Sequence, residues 1–189
     1  MKNKLLPFIL TAAALAADQV SKAIIAINWP EDNTFIADVF GGGLLWIYHV
    51  RNTAIAFSLG HNLPDFIKPV LFVALPLGVL AFLIRYYLKT SELSALQRWS
   101  LAGILGGGLG NLTDRIFRPA GVVDFISVKF FGLQNLRGGP LAFLSWDRWP
   151  TFNLADSFVV IFGILLLITI FRPEKKFRPE KKTRGGAKG

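Results

Sequence analysis

The chain has 189 residues, 52% of them hydrophobic, with 21 Lys and Arg against 12 Asp and Glu for a net charge of +9, and no cysteine. The absence of cysteine excludes a thiol nucleophile, a disulfide framework, a cysteine metal site and a lipid carried on a cysteine of this chain. Only His49 and His61 are present, without an H-E-x-x-H pattern, so a zinc hydrolase is disfavoured.

The apolar residues gather in long runs, which points to an α-helical polytopic membrane protein with one domain over residues 1–171. Residues 5–27 form the first expected span. A cleaved signal peptide is the rival, with Lys2 and Lys4 before an apolar run and small residues at Ala14-Leu15-Ala16. Apolar character resumes at Ala23-Ile24-Ile25, and Asp18 and Lys22 stand at i,i+4, where they can neutralise each other on one helix face. A cleaved peptide has no use for that pair.

Residues 28–66 are mixed and are expected to form a small sheet and loops. Gly41-Gly42-Gly43 signals a turn, and the aromatic stretch Leu44 to Val50 after it is β-prone. Trp46 and Tyr48 suit a membrane interface, or equally a packed loop. The second span is expected at 67–88, with Pro69 and Pro76 inside it.

The third span is expected at 95–113. The pairs Gly103/Gly107 and Gly106/Gly110 have small-xxx-small spacing, which lets helices approach closely. A phosphate loop is a poor alternative, because no Gly-Lys-Ser/Thr follows and no strand precedes. Residues 114–153 form the second large loop, and the fourth span is expected at 154–171. The tail from Arg172 holds eight Lys/Arg and two Glu and repeats Arg-Pro-Glu-Lys-Lys, so residues 172–189 read as a disordered basic tail. A basic block directly after an apolar run fits a cytoplasmic membrane anchor better than a nucleic-acid site. The N-terminus, the link from Arg85 to Arg98 and the tail carry thirteen of the 21 Lys/Arg. With four spans these lie on one side, which is then the cytoplasm, and both loops face outward.

Acids in or beside membrane spans are costly and are usually kept for a task or a partner. Here they are Asp18, Asp114, Asp124 and Asp156. Asp156 is expected in the first turn of the fourth helix behind Asn153, an N-cap residue type, where the helix dipole favours the carboxylate. Asp124 lies among Val, Phe and Ile, where burial favours the protonated form. Close together, the two would share a proton and could activate a water. Apart, one is a helix cap and the other an ion-pair partner of Arg115 or Arg118. Asn52, Asn111 and Asn153 could orient a substrate or the carboxylates, or serve as caps and loop hydrogen bonds. A Ser–Lys dyad fares worse, since Lys22 already has Asp18 and no serine has a nucleophile-elbow context.

Five stretches then resemble the lipoprotein signal peptidase (signal peptidase II) family. They are Asp18-Gln19-x-x-Lys22, Asn52-Thr53-Ala54-Ile55-Ala56-Phe57-Ser58, Gly106-Gly107-x-x-Gly110-Asn111-x-x-Asp114-Arg115, Val122-Val123-Asp124-Phe125-Ile126 and Phe152-Asn153-x-Ala155-Asp156-Ser157. The resemblance implies a bacterial inner-membrane aspartyl endopeptidase with both termini cytoplasmic and its site near the outer face. It would remove signal peptides from diacylglyceryl-modified prolipoproteins, without metal or cofactor, and be inhibited by globomycin. It implies Asp124 and Asp156 as the catalytic pair and Asn52, Asn111, Arg115 and Asn153 as substrate-binding or supporting. Asp18, Lys22, Asp114 and Phe57 match structural positions, with Asp114 ordering the third-helix end beside Arg115. Two features depart from the family pattern: Ala54-Ile55 replaces Gly-Ala, and the stretch 129–150 is long. A proton-coupled transporter or a non-enzymatic membrane assembly factor are the other classes the composition allows.

Overall fold

A computed structural model describes residues 4–53, 64, 66–129 and 147–171. Phe57, the Ala54-Ile55 pair, most of the 129–150 stretch and the tail lie outside them.

Helix α1 spans Phe8–Asn28. Strands β1 (Thr34–Asp38) and β2 (Leu45–Asn52) form a hairpin across the three glycines, all at positive φ. A π-helical turn, Val70–Ala74, opens into α2 (Leu75–Lys89). Pro76 explains the wide turn: it has no N–H for the Phe72 carbonyl, and the Leu75 N–H bonds Val70 O, five residues back. Then come α3 (Ala95–Phe117), β3 (Val122–Val128) and α4 (Leu154–Phe171). The sheet is antiparallel in the order β1-β2-β3.

Among the described residues, three helical segments are long and apolar enough to cross a membrane: Phe8–Asn28, Val70–Lys89 and Leu154–Phe171. Helix α3 has 23 residues, about 34 Å at 1.5 Å per residue. It falls short in apolar character because it is the core helix, and its surface is made of glycine and polar groups that meet other helices. It starts with a full capping box between Ser94 and Gln97.

α3 also runs past the expected end at residue 113. Asp114 and Arg118 stand at i,i+4 and pair at 3.4 Å, which holds the last turn together. Pro119 then drives Arg118 out of helical geometry. Asp114 and Arg115 are therefore helix residues, not loop residues.

The helices alternate in direction. At one end the Tyr87 hydroxyl donates to Lys4 O, the Phe8 ring meets the Tyr87 edge at 4.8 Å, and Arg98 lies over Tyr87. At the other end the sheet packs on α1, where Ile25, Val123 and Phe125 form one apolar cluster. The His49 ring, fully buried, sits 2.5 Å from the Trp29 carbonyl and ties β2 to the end of α1. Trp46 is packed filler as well as a half-exposed aromatic: Arg148 lies 3.7 Å above its ring and Phe35 meets it edge-on.

The two glycine pairs of α3 serve two neighbours. A Cβ on Gly103 or Gly107 would strike Phe162 or the Ala155 carbonyl of α4; one on Gly106 or Gly110 would strike Thr11 and Ala14 or Asp18 of α1. At Gly106 the added carbon would lie 2.6 Å from Ala14 Cβ and 2.9 Å from the Thr11 carbonyl oxygen. Overpacking against backbone costs about 1–3 kcal/mol, more than the ~1 kcal/mol of helix propensity that alanine gains over glycine. Gly106→Ala should therefore lower the unfolding temperature in detergent. Gly163→Ala, with nothing near its Cβ position, should leave it unchanged or raise it.

Candidate functional site

Asp124 lies on β3, not in a loop or at a helix end. β3 pairs with β2 so that Asn52 faces Val122 and Val50 faces Asp124. Side chains two apart share a face, so Asn52 and Asp124 are diagonal neighbours on one side of the sheet. The Asn52 amide nitrogen donates to Asp124 Oδ2 at 2.9 Å. Arg115 Nη1 donates to the Asn52 carbonyl at 3.2 Å and fixes the end of β2.

Asp156 comes from α4. Asn153 is its N-cap: Asn153 Oδ1 accepts the Asp156 N–H at 3.0 Å, and the Asn153 N–H donates to Asp156 Oδ2 at 3.1 Å. This is a reciprocal capping box with aspartate in the third position. Asn153 lies where it does because Phe152 pairs with Ile126 of β3 in a short backbone bridge. The same residue therefore starts α4 and touches the sheet.

Asn153 also joins the two acids. Its Nδ2 donates to Asp124 Oδ1 at 2.7 Å and to Asn111 Oδ1 at 3.1 Å. Asn111 Nδ2 donates in turn to Asp156 Oδ1 at 2.7 Å. Each oxygen of both carboxylates thus accepts a hydrogen bond, three from Asn side chains and one from a backbone N–H. All three candidate asparagines converge on the pair, and both acids line one cavity of about 490 Å³ with Arg115, Phe72, Trp149 and Phe152.

The amide orientations follow from one cation. Lys22 Nζ, a donor only, reaches Asn111 Oδ1 at 3.0 Å. That forces the oxygen of Asn111 toward Lys22 and Asn153, and its nitrogen toward Asp156. Lys22 is held by Asp18 and Asp114, each at 2.8 Å. All three charged residues are 0% exposed. Asp18 Oδ1 also accepts the Ala155 N–H at 2.9 Å, tying α1 to the first turn of α4. These contacts build α1 into the core, as a retained span requires. Asp114 meets Lys22, Gln19 and Arg118, and its charge also acts on Arg115. Adjacent residues on a helix point about 100° apart, so Arg115 turns toward the cavity while Asp114 turns inward.

Asp124 is 2% exposed. Burial pushes its carboxyl up to about 7, and the charge of Asp156 adds to the rise; the hydrogen bonds from Asn52 and Asn153 oppose it. The site thus joins a carboxyl that favours its proton, on the sheet, to a second carboxyl in the first turn of α4.

Two contributors have signals that sequence reasoning passed over. Gln19, inside the first motif, donates to Asp18, Asp114 and the Gly110 carbonyl. Arg148 donates to Ser127 Oγ, the Ser127 carbonyl and the Gly43 carbonyl, which pins the segment leading to Trp149 and Asn153 against the sheet.

A family model described as signal peptidase (SPase) II matches residues 10–172. The chain belongs to that family. It is a membrane peptidase by that membership, which sets aside the transporter and assembly-factor classes. The lipoprotein signal peptidase of Treponema denticola is 46% identical over 169 residues, covering 89% of this chain and 90% of that protein. Those of Treponema pallidum and Borreliella burgdorferi are 34% and 40% identical, covering 93% and 89% of this chain and 88% and 91% of theirs. Two solved structures, each described as a bacterial membrane enzyme determined by the in meso method, share the fold. One has a TM-score of 0.73 at 23% identity and covers 94% of both chains; the other has 0.70 at 25% identity and covers 88% of this chain and 93% of its own.

Proposed function

We propose that this signal peptidase II family member is an aspartyl endopeptidase that cuts diacylglyceryl-modified prolipoproteins before the lipidated cysteine. The observation that carries the reading is the joining of Asp124 and Asp156 through Asn153 and Asn111 at the wall of one cavity. Its four helices span the bacterial inner membrane, with both termini in the cytoplasm and the sheet end outward. The diacylglyceryl chains of the substrate lie in lipid beside the helices, and globomycin occupies the same cavity. No metal or cofactor takes part.

In the resting enzyme Asp124 holds the proton and Asp156 is ionised. A water between them loses a proton to Asp156 as its oxygen bonds to the scissile carbonyl carbon. Asp124 gives its proton to the carbonyl oxygen, so the intermediate is a neutral gem-diol. Asp156 then protonates the amine nitrogen, the C–N bond breaks, and Asp124 recovers a proton as the new carboxyl forms. Both acids return to their starting states. Arg115 and Asn52 hold the carbonyl side of the site in register.

The pH dependence tests this assignment. Below about 7 Asp124 keeps its proton; above it the acid is lost, so kcat/KM should fall on the alkaline side near pH 7. The Asn52 hydrogen bond stabilises the Asp124 carboxylate and lowers its pKa. Asn52→Ala should therefore move the alkaline limb upward while also reducing the maximum rate. A limb that moves down, or stays fixed, would show that Asp124 does not carry the proton.

A further inference from the structure

The π-helical turn sets the direction of one side chain. Phe72, Leu80 and Tyr87 are the buried residues of the stretch Val70–Lys89. Leu80 and Tyr87 stand seven apart, the repeat of one helix face. Phe72 stands eight before Leu80, which in a regular α-helix is about 80° off that face. The π-turn takes up one extra residue, so the offset falls to about 20°. Pro76, by withholding an N–H from the Phe72 carbonyl, thus turns the Phe72 ring inward. There the ring meets Arg115, whose guanidinium carbon lies 5.0 Å from the ring centre. Phe72 and Arg115 line both the active-site cavity and a second one of about 580 Å³, so this pair is the partition between the two.

We propose that Phe72 is a positioning residue of the active site: its ring orients Arg115, Arg115 holds the end of β2, and the end of β2 presents Asn52 to Asp124. The proposal rests on the peptidase reading above for what this order achieves in catalysis. Asn52 is the last residue of β2; its carbonyl accepts from Arg115 Nη1 at 3.2 Å, and its Nδ2 donates to Asp124 Oδ2 at 2.9 Å. Arg115 also feels the charges of Asp124, Asp114 and Asp156. Charge attraction alone favours no plane for a guanidinium, whereas an aromatic face does. The π-turn and α2 bring Leu71, Phe72 and Pro76 to the described wall of the active-site cavity, and none of these side chains can hydrogen-bond. Arg115 is the route by which that helix reaches the carboxylates.

The test reads Asp124 directly, through the infrared carboxyl band that Asp124→Asn removes, titrated in purified full-length protein without substrate. Values of kcat and KM for a diacylglyceryl-modified prolipoprotein are measured beside it. Phe72→Leu keeps an apolar side chain and removes the ring. It should raise the pH at which Asp124 loses its proton, in the direction of Asn52→Ala, because the Asn52 hydrogen bond stabilises the carboxylate. Its kcat should fall about three- to tenfold, the range of a partly desolvated cation–π contact, with KM little changed. Phe72→Tyr, which keeps an aromatic face, should behave as wild type. On an Asn52→Ala background, Phe72→Leu should shift the titration less than it does alone, because both act through one contact. Asp156 and Lys22, the other charges acting on Asp124, are present in every variant. Equal shifts on the two backgrounds, no shift in Phe72→Leu, or a Phe72→Tyr variant as impaired as Phe72→Leu would each overturn the proposal, given thermal unfolding like that of wild type. If Phe72→Leu fails to fold, Phe72→Met takes its place. Wild-type protein that leaves the prolipoprotein uncut would count against the peptidase reading, while the titrations, made without substrate, still decide the proposal.

Discussion

Asp124→Asn and Asp156→Asn should each lower prolipoprotein cleavage by about 10³-fold or more, within the range that general acid–base groups supply. Neither should unfold the protein. Asparagine keeps the shape of each side chain and one acceptor oxygen, so each variant keeps one of its two hydrogen bonds, from Asn153 or Asn52 at position 124 and from Asn111 or the Asn153 N–H at position 156. What it removes is the proton exchange with water. The double variant should be scarcely worse than either single one, because the two acids act as a unit on one water. Rates from purified proteins in the same detergent, with thermal unfolding as the control, decide this. Near-normal turnover by either single variant would end the dyad assignment.

The second large effect is on stability. Lys22→Met leaves Asp18 and Asp114 fully buried with their shared cation gone. Breaking a buried ionic cluster from one side costs about 3–5 kcal/mol. Arg118 compensates only one face of Asp114, at 3.4 Å. The unfolding temperature of Lys22→Met in detergent should fall sharply. Asp18→Asn/Lys22→Met/Asp114→Asn, with no buried charge left in the cluster, should recover most of it. Activity should not recover with it, because Asn111 Oδ1 would have lost the donor that orients both amides. Recovery of stability without activity separates the role of Lys22 in folding from its role in positioning. A triple variant that regains both would show that Asn153 alone orients the amides.

Much of this architecture is legible in the residues because the bilayer imposes strong rules. Apolar runs located the helices to within a few residues, and the glycine spacing in α3 anticipated two close helix contacts that the added-Cβ distances bear out. The pair Asp18 and Lys22 was readable as an i,i+4 ion pair. Its third member, Asp114, was not, because that contact spans more than ninety residues and depends on helix rotation. The end of α3 was misplaced for a related reason: Asp114, Arg115 and Arg118 look like loop charges in sequence, yet the helix buries one and pairs another. The cap at Asn153 was local and readable. The strand under Asp124 was hidden by the acid that interrupts its β-branched run, and the Asn52–Asp124 contact exists only through the β2–β3 register, which no local pattern specifies.

The most direct test is to incubate the purified wild-type protein with a diacylglyceryl-modified prolipoprotein and locate the cut by mass, with and without globomycin. The expected result is a single cleavage before the modified cysteine, blocked by globomycin, and little or none on the same chain with an unmodified cysteine. Folded protein that leaves the lipidated substrate intact while a control signal peptidase II cuts it, or that cuts both substrates alike, would contradict it.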